Sequence, residues 1–101
     1  MKRSKIFKLL KSDRPVDQVL VKGWVRTRRD SKGFSFIEVN DGSSLKNIQV
    51  VADEKLPNYE DVKKLTTGSA LAVCGQLVES KGGGQKWEIL ADSLEIIHLA
   101  P

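Results

Sequence analysis

Residues Val21–Val51 read VKGWVRTRRDSKGFSFIEVNDGSSLKNIQVV, and their alternation decides the fold. Successive side chains of a strand point to opposite faces, so a period of two sorts the residues. Val19, Val21 and Val25 share one face of a first strand over Val19–Arg28, and Leu20, Lys22, Trp24, Arg26 and Arg28 share the other. A second strand, Phe34–Asn40, turns Ile37 and Val39 one way and Phe34, Phe36 and Glu38 the other. A third, Leu45–Ala52, sets Ile48 and Val50 against Asn47, Gln49 and Val51. Asp30-Ser31-Lys32-Gly33 and Asp41-Gly42 supply the turns. The sheet thus has an aliphatic face and a second face carrying Arg26, Arg28, Phe34, Phe36 and Gln49. Gly23 marks a bulge or sharp bend, which a small sheet needs when it curls.

Before this run, Ile6, Phe7, Leu9 and Leu10 fall at helical spacing within residues 3–11, among lysines 2, 5, 8 and 11. Ser12-Asp13-Arg14-Pro15 ends that helix, since the residue before proline avoids helical torsions. After the run, Pro57 opens a second helix through Leu65, with Tyr59, Val62 and Leu65 as its apolar stripe and Gly68 as its stop. A fourth strand, Ser69–Glu79, carries Leu71, Val73 and Leu77. Ser80–Gln85 reads as a hairpin tip. A fifth strand, Lys86–Ile97, carries Trp87, Ile89, Leu94 and Ile96, with a break near Asp92. Three strands, a short helix and two strands make the order of an all-β, five-stranded Greek-key OB-fold barrel, its helix between strands three and four plugging one end. Residues 1–18 form an N-terminal helical extension, 19–98 the barrel and 99–101 the start of a linker.

Composition narrows the function. The chain has 101 residues, 40% hydrophobic and 30% charged, which suits one folded domain. Residues 1–46 hold twelve Lys/Arg against five Asp/Glu, whereas residues 47–101 hold five against eight. A basic surplus gathered on one part of the chain suggests an anionic partner. The single cysteine, Cys74, excludes an internal disulfide and a cysteine zinc site; its apolar surroundings suggest a buried, inert thiol. No apolar run approaches a membrane span, and the N-terminal apolar patch is too short for a secretory signal. The expected location is the cytoplasm, with a basic organellar transit segment as the alternative.

The aromatic and basic face suits single-stranded nucleic acid. A base stacks on an exposed ring while arginines hold phosphates. Phe36 is the first candidate platform; Phe34 adjoins a turn and either joins it or packs locally. The N-terminal helix covering one of them is the competing reading. Arg26 and Arg28 share the face of Phe36, with Arg29 and Lys32 in or near the turn. Arg29 either alternates inward or sits in the turn, within reach of Asp30 or Glu38; with Arg26, Arg28 and Lys32 it is a candidate for phosphate binding. Gln49 and Asn47 present amides, which offer a donor and an acceptor to one base edge. Glu38 is read as an arginine partner. No catalytic constellation appears: His98 stands alone, and Gly82-Gly83-Gly84 does not lead from a strand into a helix. No metal or cofactor is expected.

Lys22-Gly23-Trp24-Val25-Arg26-Thr27-Arg28-Arg29-Asp30-Ser31-Lys32 resembles the first-strand signature of class IIb aminoacyl-tRNA synthetases. With Phe34–Ser43, Asn47–Val51, Leu65–Ser69 and Trp87–Ile89, the resemblance is to the asparaginyl branch and spans nearly the whole chain. It implies an N-terminal anticodon-binding OB-fold whose partner is tRNA with anticodon GUU. It also implies that Phe36 stacks on the central uridine, Gln49 reads its edge and Arg28 lies near the same base. The loop Glu79–Lys86, with Lys81 as its basic candidate, would approach a flanking base. In the family a catalytic domain follows this region, so no catalysis is expected of these residues, and a monomer is expected. A non-selective single-strand binder is the rival reading.

Overall fold

The structure is a computed structural model and describes residues 2–82 and 85–101. Five strands close into a barrel: β1 (Val16–Ser31), β2 (Phe34–Asn40), β3 (Ile48–Asp53), β4 (Ala70–Glu79) and β5 (Trp87–His98). Their order around the barrel is β1-β2-β3-β5-β4, returning to β1. All pairings are antiparallel except β3 with β5, which runs parallel over Gln49–Val51 and Glu88–Leu90. The all-β barrel expected from the alternation is the one observed.

β1 closes the barrel by serving two neighbours. Its first part pairs with β4 up to Trp24, and its second part pairs with β2 from Trp24 onward. At the changeover sits Gly23, where a Cβ would lie 2.4 Å from the carbonyl oxygen of Asn40. Only glycine lets the two backbones approach that closely. The bulge itself falls two residues later, with the register slipping between Val25 and Thr27. Val19, Val21 and Val25 enter the core with Ile37, Val39, Ile48, Val50, Leu71, Val73, Leu77 and Ile89, as the period of two requires. The break expected near Asp92 is a slip in the β4–β5 register, which pairs Gly75 with Ala91 but Cys74 with Ser93. Cys74 is half-buried rather than buried, because it lies on the other side of β4 from Val73.

Two short helices contact different rims. α2 (Tyr59–Val62) inserts Tyr59 and Val62, flanked by buried Leu56 and Leu65. It is shorter than the expected helix from Pro57 to Leu65. Pro57 lies in a turn ahead of it, and beyond Val62 the chain tightens into i to i+3 bonds from Lys64 and Leu65. Gly68, at φ +92°, belongs to the following turn, where the Ser69 N–H donates to the Thr66 carbonyl. α1 (Ile6–Leu10) buries Ile6 and Leu9 on the rim that holds the end of β2 and the start of β5. The buried Trp87 indole N–H donates to the Ser12 carbonyl at 3.0 Å. β3 begins at Ile48 rather than Leu45 because the Asn40 amide bonds Ser44 and Asn47 and the Ser44 hydroxyl accepts from Lys46 N–H. Such local side-chain bonds compete with a ladder. Gly83 and Gly84, within the expected hairpin tip, lie outside the described residues.

α1 has no cap of its own and borrows one. The Ile6 N–H donates to the Asp41 carboxylate and the Phe7 N–H to the Ser43 hydroxyl, both at 3.0 Å. Burial raises the Asp41 carboxyl, but bonds from the Ser43 hydroxyl, the Ile6 N–H and the Ser43 N–H together outweigh it and leave its pKa below the ordinary value. A carboxylate depressed on folding stabilises above its unfolded pKa of about 3.9, and the contribution disappears as pH falls through the folded value. Acidification below about pH 4 should therefore release α1 before the barrel melts. Near-ultraviolet circular dichroism of Trp87 measures this. Asp41→Asn should show the weakened signal already at neutral pH, and an unchanged acid profile in that variant would refute the coupling.

Candidate nucleic-acid interface

A groove of about 600 Å³ runs over the outer face of β2 and β3, bounded by β1 and the β4–β5 connection. Arg29, Phe34, Phe36, Gln49 and Lys81 line it together. The Phe34 and Phe36 rings meet edge to face, with centroids 5.1 Å apart. The Arg29 guanidinium lies over the Phe36 ring, 4.7 Å from its centroid. Phe34 therefore both packs locally and lines the groove. α1 covers neither ring, since it docks at the rim near Asp41 and Trp87.

The arginines are exchanged relative to the expectation from strict alternation. The register slip at Arg26 inverts the parity of everything after it. Arg28 then pairs with Ile37, a core residue, and Arg29 pairs with Phe36. Arg28 turns to α2, donates to the Lys63 carbonyl and pairs with Asp30 at 3.2 Å. Asp30 in turn accepts from the Ser35 hydroxyl, which bonds the Tyr59 hydroxyl, so Arg28 ties the β1–β2 hairpin to α2. Arg29 does not point inward. Arg26 and Lys32 are exposed and do not line the groove. Asn47 also lies outside it, accepting a hydrogen bond from Asn40. Glu38 takes the Thr27 hydroxyl at 2.9 Å rather than an arginine.

Glu88 is the residue that the face assignment missed. The parallel pairing sets it beside Gln49, and the Gln49 Nε2 donates to its Oε1 at 3.1 Å. A carboxylate only accepts, so Glu88 fixes which end of the amide faces it. The Gln49 Oε1, which takes no hydrogen bond among the described residues, is left for the groove. The groove lining holds Arg29 and Lys81 against Glu38, Asp53 and Glu88. Two basic residues against three acids leave no positive surplus, so stacking and amide chemistry distinguish the groove rather than charge.

A closed OB barrel with an aromatic, amide-bearing groove on β2 and β3 is a nucleic-acid-binding architecture. The chain belongs to the tRNA anti-codon family of OB-fold nucleic acid binding domains, which matches residues 19–97. Among curated proteins it is similar to the asparagine-tRNA ligase of Oleidesulfovibrio alaskensis, 52% identical over 97 residues. That match covers 96% of this chain and 21% of the relative, so the chain spans about a fifth of the length of such proteins. Among solved structures it resembles the asparaginyl-tRNA synthetase of Entamoeba histolytica, with a TM-score of 0.71 and 28% identity over 84% of this chain and 22% of that one. The asparaginyl-tRNA synthetase of Pyrococcus horikoshii, complexed with asparaginyl-adenylate, superposes with a TM-score of 0.82 over 99% of this chain and 23% of that one; at 21% identity it speaks for the fold alone. The resemblance to the asparaginyl branch stands.

Proposed function

We propose that this domain is the anticodon-binding part of an asparagine-tRNA ligase and that its groove reads the central uridine of the anticodon GUU. The observation that carries the reading is the Gln49 amide, oriented by Glu88 and set in one groove with Phe36. The uridine ring stacks on Phe36, and Arg29 slides from that ring toward the adjacent phosphate. The Gln49 Oε1 accepts the N3–H of uracil. Cytosine offers a lone pair at the same atom, so it meets an acceptor with an acceptor. Lys81 lies at the groove edge, where it holds the backbone of a flanking nucleotide.

The test is a titration of the domain with two anticodon stem-loops, one bearing GUU and one with the central uridine changed to cytidine. The wild-type domain should prefer GUU by about tenfold, the scale of one hydrogen bond gained and one clash of acceptors avoided. Gln49→Ala should lose that preference while keeping weak binding through Phe36. Equal binding of both loops by the wild-type protein would leave only a non-selective single-strand binder.

A further inference from the structure

The groove does not end at Gln85. Glu38 and Gln85 also line a second depression of about 650 Å³, bounded by α1, the β2–β3 loop and the start of β5. Its chemistry differs from that of the first. Phe7, 42% exposed, and Leu45, fully exposed, form an apolar lip. Lys11, Lys46 and Lys86 surround it, against the one carboxylate of Glu38, which already holds Thr27. Among the described residues none of the three lysines is ion-paired, whereas Lys63 and Lys64 are. Two of them rest on rings instead: the Lys11 ammonium lies 4.2 Å from the centroid of Phe7, and that of Lys86 lies 5.4 Å from Trp87.

Phe7 is apolar, yet the five-residue α1 turns Ile6 and Leu9 to the core and leaves this ring outside. An exposed ring and an exposed leucine amid unpaired ammonium groups match a nucleotide, with an apolar base face and an anionic phosphate. The stacking groove carries no surplus of positive charge, whereas its neighbour sets three lysines against one carboxylate. We infer that the depression between α1 and the β2–β3 loop is a second RNA subsite, which takes nucleotides beyond the trinucleotide centred on Phe36. Lys11, Lys46 and Lys86 bind their phosphates, and Phe7 with Leu45 supports a base. This rests on the reading of the first groove as an RNA site.

The experiment compares a uridine-centred trinucleotide, which fills the first groove alone, with the same sequence extended by four nucleotides on its 5′ or its 3′ side. Binding to the 101-residue domain is followed by amide chemical shifts over a range of salt concentrations. One of the two extended probes should shift the amides of Phe7, Leu45 and Lys46, and the trinucleotide should not. Replacing Lys11, Lys46 and Lys86 together with alanine should flatten the slope of log affinity against log salt by about 2 for that extended probe, at about 0.7 per lost phosphate contact. The trinucleotide should be unaffected. Phe7→Ala should weaken the same extended probe alone. If the triple variant binds every probe as the wild type does, while Phe36→Ala weakens all of them, the second subsite is wrong and the first reading survives. If the triple variant weakens long and short probes equally, the lysines act only as a general field and the subsite is again wrong. If the wild-type domain binds no probe, both readings fall.

Discussion

Phe36→Ala should weaken binding of the GUU stem-loop by about 1–3 kcal/mol, the worth of one base stacked on an aromatic ring. That is roughly a 5- to 150-fold rise in Kd. The ring is half-buried on the outer face of β2, touching Phe34 and Arg29, and contributes nothing to the core cluster. The variant should therefore fold with nearly the wild-type melting temperature, and the loss should appear in binding alone. Phe36→Tyr keeps a ring and should keep most of the affinity. Phe34→Ala should cost less, because Phe34 meets Phe36 by its edge and supports the platform from the side. Unchanged affinity of Phe36→Ala would remove the stacking step from the proposed reading, whatever the other residues do.

Gly75→Ala should have the largest effect on stability of any single methyl added to the barrel. A Cβ at Gly75 would stand 2.0 Å from the carbonyl oxygen of Leu90, 2.9 Å from its carbonyl carbon and 3.0 Å from the Cα of Ala91. All three are backbone atoms, so no side chain can swing aside. The register slip opposite Gly75 carries β5 across it there, and β4 and β5 would have to part along a ladder of ten pairs. Overpacking of this kind costs about 3 kcal/mol or more when the backbone must yield. At about 4–8 °C per kcal/mol for a domain of this size, the melting temperature should fall by roughly 12 °C at the least. Thermal unfolding followed by circular dichroism measures it. A fall of only a few degrees would mean that β5 can shift without loss, and Glu88, on the same strand as the slip at Asp92, would then be less firmly placed than its bond to Gln49 implies.

The barrel was legible because its core residues alternate without interruption in most strands. Ile37 and Val39, Ile48 and Val50, Leu71 and Val73, and Trp87 and Ile89 each announce an inner face. The arginines carried no such mark. From Arg26 to Asp30 every side chain is polar, so nothing in the run signals where the parity slips. Arg28 reads as a binding residue on the face of Phe36 and belongs instead to a hairpin-to-helix tie; Arg29, a binding candidate that alternation puts inward or in the turn, is the one that lies on Phe36. Glu88 illustrates a second limit. Its partner Gln49 is 39 residues away on a parallel neighbour, and only closure of the barrel brings the two together. Phe7 illustrates a third: in a helix of five residues, docking rather than periodicity decides which apolar side chain is left out.

The extra residue at Arg26 also has a bearing on protein engineering. A designer who copied the linear string RTRRD onto a regular strand of another scaffold would transplant the letters and lose the site. The wrong arginine would arrive beside the aromatic ring, and the other would turn toward the core with no acid to meet it. The portable unit is the bulged hairpin together with the helix that receives Arg28. Deleting one residue at the bulge, with no change of composition elsewhere, would swap the tasks of two neighbouring arginines. Within this fold, spacing along one strand thus carries as much functional information as the identity of the residues upon it.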